Sequence, residues 1–331
     1  MCCIMNEDQN LLEVEDLRVH FPVRGGVFRR AMGYCKALDG VSFSIPKGKT
    51  FGLAGESGCG KSTLAKAIVQ LVKPTAGKIR FKRREISEIE DRGLFRKSVQ
   101  MVFQDPAESL NTRMTVSSIV QEPLDVHKVG DRGERAKRVE ELLEQVGLPA
   151  NSASKYPFEF SGGQRQRIGI ARALALKPEL LVLDEPVSAL DVSVQSQVLN
   201  LLMDLQENLG LSYLLISHDL AVVKHISDII AVMYLGKIVE LGPSEDVYAS
   251  PLHAYTKALI GSIAIPEPGL SKKKVVLTGD VPSPINPPAG CAFGHRTQSV
   301  RYPESLKMKM DFKEITLGRW VLDCPCCLEN S

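Results

Sequence analysis

The sequence predicts an α/β protein built on a mainly parallel sheet. Three observations predict it. Short apolar runs of strand length alternate with helix-period segments, one such run leads through a glycine-rich turn into a helix, and another ends in two adjacent carboxylates. In chain order, Val41-Ser42-Phe43-Ser44-Ile45 alternates apolar and polar residues, as a half-buried strand does. Phe51 to Ala54 is a short apolar run, and a helix is expected after the glycine turn from about Lys61 to Val72, ending before Lys73-Pro74. Val99 to Phe103 is a further apolar strand. Residues 105–160 read as helical and more polar, with Glu134 to Val146 the clearest helix, stopped by Gly147. Leu180 to Leu183 is a buried strand. Val194, Val198, Leu201, Leu205 and Leu209 mark one face of a helix that Gly210 stops. Tyr213 to Ile216 and Ile229 to Met233 complete the strands. Past about Pro266 the composition changes. Pro282, Pro284, Pro287 and Pro288 there predict an extended or loose tail. No internal repeat is found.

Composition narrows the function classes. Lys and Arg number 41 against 39 Asp and Glu, so bulk charge gives no reason to expect nucleic acid as a partner. The local cluster Lys82, Arg83, Arg84 reads as a solvated face. No run approaches the roughly 20 apolar residues that span a bilayer. The start of the chain carries Glu7 and Asp8 and lacks the apolar core of a signal peptide. The expectation is a chain that is neither secreted nor membrane-spanning. Its eight cysteines then read as reduced thiols or ligands rather than disulfides.

The chemistry begins at Gly55, Glu56, Ser57, Gly58, Cys59, Gly60, Lys61, Ser62 and Thr63, which fit the phosphate-loop pattern. Glycines let backbone N–H groups turn inward around phosphates, and the following helix points its positive end at the anion. Lys61 is placed to reach the β- and γ-phosphates of ATP, and Ser62 to ligate Mg2+. Cys59 reads as a small tolerated side chain. The second element is Leu180 to Leu183 followed by Asp184 and Glu185. A carboxylate at a buried strand end can hold magnesium through water, which is the part expected of Asp184. Glu185 is then placed to orient or deprotonate the attacking water.

Further motifs bring a family into view. Phe160-Ser161-Gly162-Gly163-Gln164 followed by Arg165-Gln166-Arg167 resembles the signature of the ATP-binding cassette (ABC) proteins, with Phe160 where leucine is commoner. Gln104 resembles the Q-loop glutamine, Ser188 to Asp191 the D-loop, and His218 the switch histidine. Together with the phosphate loop and the Leu180 to Glu185 element, these stand in family order across residues 55–218. Gln104 to Asn111, Tyr156-Pro157, Ser161 to Leu176, Pro251 to Leu259 and Pro287 to Phe293 are similar to the oligopeptide/dipeptide importer ATPases, over about residues 10–295. Nickel importers share much of this pattern.

The resemblance implies a P-loop ABC ATPase core with an antiparallel β subdomain and a helical subdomain over about 105–160. The nucleotide-binding domain is expected over 11–265 and an importer-type tail over 266–331. It implies Gln104 and His218 at the γ-phosphate and its water, Gln104 also at the metal, and an aromatic on adenine, with Tyr34 the candidate and Phe28 the alternative. It further implies that Ser161, Gly162, Gly163, Gln164 and Asp191 serve a nucleotide sandwiched between two ATPase chains. The implied partners are two membrane permease subunits, a second ATP-binding subunit and an extracytoplasmic solute-binding protein, with this chain peripheral on the cytoplasmic face. A chromosome or repair ATPase would need a long insertion between Gln104 and Ser161, and a translation-associated protein two cassettes; neither is present. A non-enzymatic subunit would show decayed motifs, and these are intact.

Some relatives bind an iron–sulfur cluster through a tail motif Gly-Cys-x-Phe-x-x-Arg-Cys-Pro and further cysteines. This chain keeps Cys291 but has Thr297 and Gln298 where the second cysteine and the proline of the motif would fall, and retains Cys324, Cys326 and Cys327 near its end, which with Cys291 would supply the four thiolates of a rearranged metal site. Cys326 and Cys327, adjacent in an extended segment, are expected to point apart. The cluster is therefore doubtful on sequence grounds.

Overall fold

The computed structural model describes residues 10–25, 30–89, 91–262 and 279–328. The chain divides into two compact units: Met1–Pro46, Thr50–Glu85 and Ser217–Ser331 form one, Lys47–Lys49 and Ile86–Ile216 the other.

The first unit holds an antiparallel sheet in which Asn10–Gly25 lies between Arg30–Pro46 and Ala76–Phe81, with the short Arg84–Glu85 at the edge. Lys82 and Arg83 form the exposed turn to that edge, at φ 50 and 66. The same unit carries the fully buried strand Thr50–Ala54, parallel to Ile229–Tyr234. Ile229–Tyr234 pairs antiparallel with Lys237–Pro243. The helix after the glycine turn, Lys61–Ile68, is shorter than the sequence suggests. It closes through Val69 and the left-handed Gln70 (φ 62), a backbone conformation that ends a helix.

The tail departs from its expected looseness. Residues around the prolines are irregular, but a hairpin, Phe312–Thr316 and Arg319–Leu322, docks antiparallel on Lys237–Pro243. A buried ion pair holds it, with Arg319 Nη2 donating to Glu240 Oε1 at 3.0 Å. The Glu240 carboxylate also accepts from the Leu252 and His253 amides at 2.9 Å each, so its charge is fully partnered. Cys291, Phe293, Cys324 and Cys327 join Tyr234 and Tyr255 in one apolar cluster. Composition marks the prolines of this segment. It does not mark burial that is assembled from residues tens of positions apart.

In the second unit, Val99–Val102, Leu180–Asp184 and Ser212–Ser217 run parallel, the last reaching the unit boundary. Helices follow the predicted polar stretch. Val116–Val126 is capped by Thr115, and Arg132–Gln145 opens on a capping box of Asp131 and Glu134. Each such cap contributes about 1 kcal/mol. Gly147, at φ 69, takes the left-handed position that stops the second helix. The helix Val192–Leu209 buries Val198, Leu199, Leu202 and Leu205, while Leu209 is exposed. Its core face is thus rotated from the one the sequence suggests, because Leu201 and Leu202 are interchangeable in an apolar count and only packing selects between them.

Candidate active site

Two glycines of the phosphate loop are required by close approach. A Cβ at Gly55 (φ 156) would lie 2.3 Å from the Met233 carbonyl, and one at Gly60 (φ 112) would lie 2.2 Å from the Ala37 carbonyl. Gly60 caps the helix Lys61–Ile68 without a side-chain hydrogen bond, and a helix N-terminus is the end that favours an anion. Lys61 is 4% exposed. Its Nζ donates to the Gly55 and Glu56 carbonyls at 2.7 and 3.0 Å. Ser57 and Gly58 are exposed, and Ser62 and Thr63 are half-buried at the helix start. Burial pushes the Cys59 thiol pKa up, which keeps it protonated and unreactive near neutral pH.

Sequence reasoning did not anticipate how Glu56 is held. Its N–H donates to the Tyr255 hydroxyl at 3.0 Å, and its Oε2 accepts from Arg296 Nη1 at 2.8 Å. These partners lie 199 and 240 residues away. The only sequence signal was the arginine of the tail motif. His218 is exposed in the turn before the helix Leu220–Ile226, beside the cap Asp219. Tyr34, on the strand Arg30–Pro46, is 53% exposed and presents a ring for stacking. Phe28, the alternative aromatic, lies outside the described residues.

In the second unit the structure brings two predicted residues together. Gln104 Nε2 donates to Glu185 Oε2 at 3.2 Å. Asp184 is buried at the strand end, and Glu185 takes a left-handed backbone (φ 48) with its N–H on the Ile216 carbonyl at 2.9 Å. A non-glycine residue in that region is uncommon and costs roughly 1–3 kcal/mol. Ser161 is the cap of the helix Gly162–Leu174, and its hydroxyl and the Gln164 side chain form a capping box. A Cβ on Gly163 would lie 2.2 Å from Val194 Cγ1, so a larger residue there forces Val194 to move. Gly162 is exposed at the helix start. Asp191 caps the helix Val192–Leu209, accepting from the Val194 amide at 3.0 Å and the Ser193 hydroxyl at 2.7 Å. The Ser193 bond, then the Val194 amide, lower its carboxyl pKa.

In the tail, Cys324 to Cys327 form a turn closed by Cys327 N–H on the Cys324 carbonyl at 3.1 Å. This corrects the expectation of an extended segment there: the sulfurs of Cys291, Cys324 and Cys327 lie within 4.8 Å of one another, all buried. Thiol hydrogen bonds from Cys324 and Cys327 pull the Cys291 pKa down. Cys291 Sγ and Cys327 Sγ are 3.5 Å apart. A zinc–thiolate bond of about 2.3 Å places tetrahedral sulfurs roughly 3.8 Å apart. In a four-iron cluster each of four thiolates binds its own iron at alternate corners of a cube, pointing outward, which calls for wider separation. Cys326 joins them, its thiol hydrogen-bonded to Cys291 and Cys324, so all four tail thiols converge, with the three buried ones closer together than the irons of a cluster would hold them.

The chain is similar to known proteins in sequence and in fold. The family described as ABC transporter matches residues 38–188, and the oligopeptide/dipeptide transporter C-terminal region matches residues 239–301. The chain is 51% identical over 318 residues to the oligopeptide transport ATP-binding protein AppF of Bacillus subtilis, covering 95% of this chain and 96% of that protein. It is 51% identical over 306 residues to the oligopeptide transport ATP-binding protein OppF of Escherichia coli, covering 90% and 91%. Among solved structures, it resembles cbiO1 of Clostridium perfringens, part of the ABC transporter complex cbiONQ. That match has a TM-score of 0.64 at 28% identity, over 78% of this chain and 96% of that one.

Proposed function

We propose, for a chain that belongs to the oligopeptide/dipeptide family of ABC transporter ATP-binding subunits, that its ATP hydrolysis drives the import of peptides. The likeness to oligopeptide transport subunits across nearly the whole chain, C-terminal region included, carries this reading. Nickel and other small solutes are the alternative cargo. Among the described residues no helix is long and apolar enough to cross a membrane. By likeness to oligopeptide transport subunits, the chain works with partners: two permease subunits that carry the solute path, a second ATP-binding subunit and an extracytoplasmic solute-binding protein. The chain itself sits peripherally on the cytoplasmic face.

The residues take the following parts in this proposal. Lys61 and the N–H groups of Gly55 to Thr63 oppose the phosphate charge, and Tyr34 stacks on adenine. The donors present suit magnesium, a hard cation that prefers oxygen ligands: the Ser62 hydroxyl, the buried Asp184 carboxylate acting through water, and the Gln104 amide oxygen. Magnesium, when bound, neutralises charge on the β- and γ-phosphates. Glu185 orients the attacking water and takes its proton, steadied by Gln104, and His218 contacts the γ-phosphate. The signature turn Ser161 to Gln164 and Asp191 face the nucleotide held by the second ATPase chain. The nucleotide-binding domain then runs over 11–265, with 105–160 as its permease-facing part and 266–331 as the appended region.

Transport is tested in vesicles carrying the assembled complex. ATP turnover rises several-fold when peptide-loaded binding protein is added. A response to nickel-loaded protein with none to peptide would reassign the cargo. For the tail, we hold that no cluster is resident, on the thiol geometry above. Anaerobically purified protein then contains well under one cluster per chain by iron and sulfide analysis. Stoichiometric iron and sulfide, lost on Cys291→Ser, would overturn this.

A further inference from the structure

The phosphate loop contains a carboxylate, Glu56, directly after Gly55. A negative side chain in a loop that must receive a triphosphate works against binding unless its charge is met. The structure meets it with one residue from the far end of the chain. Arg296 is nearly enclosed, its side chain 6% exposed, and lies 2.8 Å from Glu56 Oε2. Its Nε is spent on the Gly279 carbonyl at 2.9 Å, which fixes the guanidinium plane. Arg296 closes the short helix Ala292–Arg296, and that helix is itself anchored. Cys291 Sγ caps it by accepting from the Gly294 N–H at 3.1 Å, and Phe293 meets Tyr234 and Tyr255 edge-on at 5.7 and 5.4 Å. Tyr255 is the residue that accepts the Glu56 N–H. Backbone and carboxylate of Glu56 are therefore held by one and the same cluster.

A second contact points the same way. The proline-rich approach to this helix runs against the strand of Tyr34: the Lys36 N–H donates to the Pro284 carbonyl at 3.0 Å, and Cys35 forms a β-bridge with Ile285. The appended region thus touches the phosphate loop and the strand that carries the stacking candidate.

We propose that Arg296 is a positioning residue for ATP binding, neutralising and fixing the Glu56 carboxylate so that the C-terminal region completes the phosphate loop. This rests on the reading of Gly55 to Thr63 as the nucleotide loop. It gives the C-terminal region a task at the nucleotide.

The test is ATP titration of the full chain by calorimetry, with melting temperature as the check on folding. R296M weakens ATP affinity about tenfold, equivalent to about 1.4 kcal/mol, and R296K stays within about threefold of wild type. The discriminating variant is E56Q/R296M. With the loop carboxylate gone, the cation is no longer needed, and affinity returns to within about threefold of wild type. A purely structural role for Arg296 would leave the double variant as weak as R296M, and that result, or unchanged affinity in R296M, overturns the proposal. R296Q, with a shorter polar side chain, carries the same comparison should R296M not fold. Wild-type chain that binds no ATP would speak against the nucleotide loop itself and is thereby told apart from failure of the Arg296 role.

Discussion

Glu185→Gln hydrolyses ATP at least ~10²-fold more slowly than wild type while still binding it, the scale expected when a general base is removed. The substitution keeps the side-chain shape and removes the charge and the proton acceptor. Glu185 sits one residue past the buried strand Leu180–Asp184, on a left-handed backbone tied to Ile216, so its aim is set by the main chain rather than by side-chain freedom. A glutamine there can still meet the Gln104 amide that lies 3.2 Å from the carboxylate in wild type. The loss falls on chemistry and spares architecture. Single-turnover hydrolysis alongside a nucleotide titration separates the two. The ATP-bound pair of ATPase chains should also persist longer, readable by size-exclusion chromatography. Normal turnover in the assembled complex would remove Glu185 from the role of base, and His218, exposed in its turn, would be the next residue to test.

What could be read from the sequence was what depends on neighbours in the chain. The phosphate loop is nine consecutive residues whose glycines answer to local backbone need, and Gly55 and Gly60 do adopt positive φ with carbonyls pressed against them. The buried strand before Asp184 and Glu185 showed as an unbroken apolar run, and Ser161 opens a helix as its place before two glycines implied. Gly147 and Gly210 stop their helices at left-handed angles. What escaped depends on distant residues. Leu202 rather than Leu201 is buried because packing, not hydrophobicity, chooses between adjacent leucines. The docked hairpin Phe312–Thr316 and Arg319–Leu322 rests on a pairing of Glu240 with Arg319 across 79 residues. The turn that gathers Cys324 and Cys327 beside Cys291 is closed by one backbone hydrogen bond that no spacing rule announced. Glu56 was expected simply to line the phosphate cradle. Its pairing with Arg296 needed three-dimensional proximity that pattern counting cannot supply.

Lys61→Ala abolishes productive MgATP binding. Lys61 is the cation carried by the phosphate loop itself, and its surroundings allow no substitute from within those nine residues. The side chain is buried, and its ammonium group donates to the carbonyls of Gly55 and Glu56 at 2.7 and 3.0 Å. Those two bonds tie the ammonium group to the loop backbone, so its charge is held within the loop. Alanine removes the charge and leaves both carbonyls without this donor, pointing partial negative charge toward the phosphates. Removing a buried charged hydrogen-bonding group of this kind costs several kcal/mol, enough to carry a micromolar site into the millimolar range. The neighbouring Arg296 cannot compensate, because its guanidinium is committed to Glu56 and to the Gly279 carbonyl. The measurement is a titration of the full chain with MgATP, followed by the nucleotide-dependent rise in melting temperature, which wild type shows and the variant lacks. A variant with wild-type affinity would mean that the glycine turn at Gly55 to Gly60 is a structural corner and not the nucleotide loop.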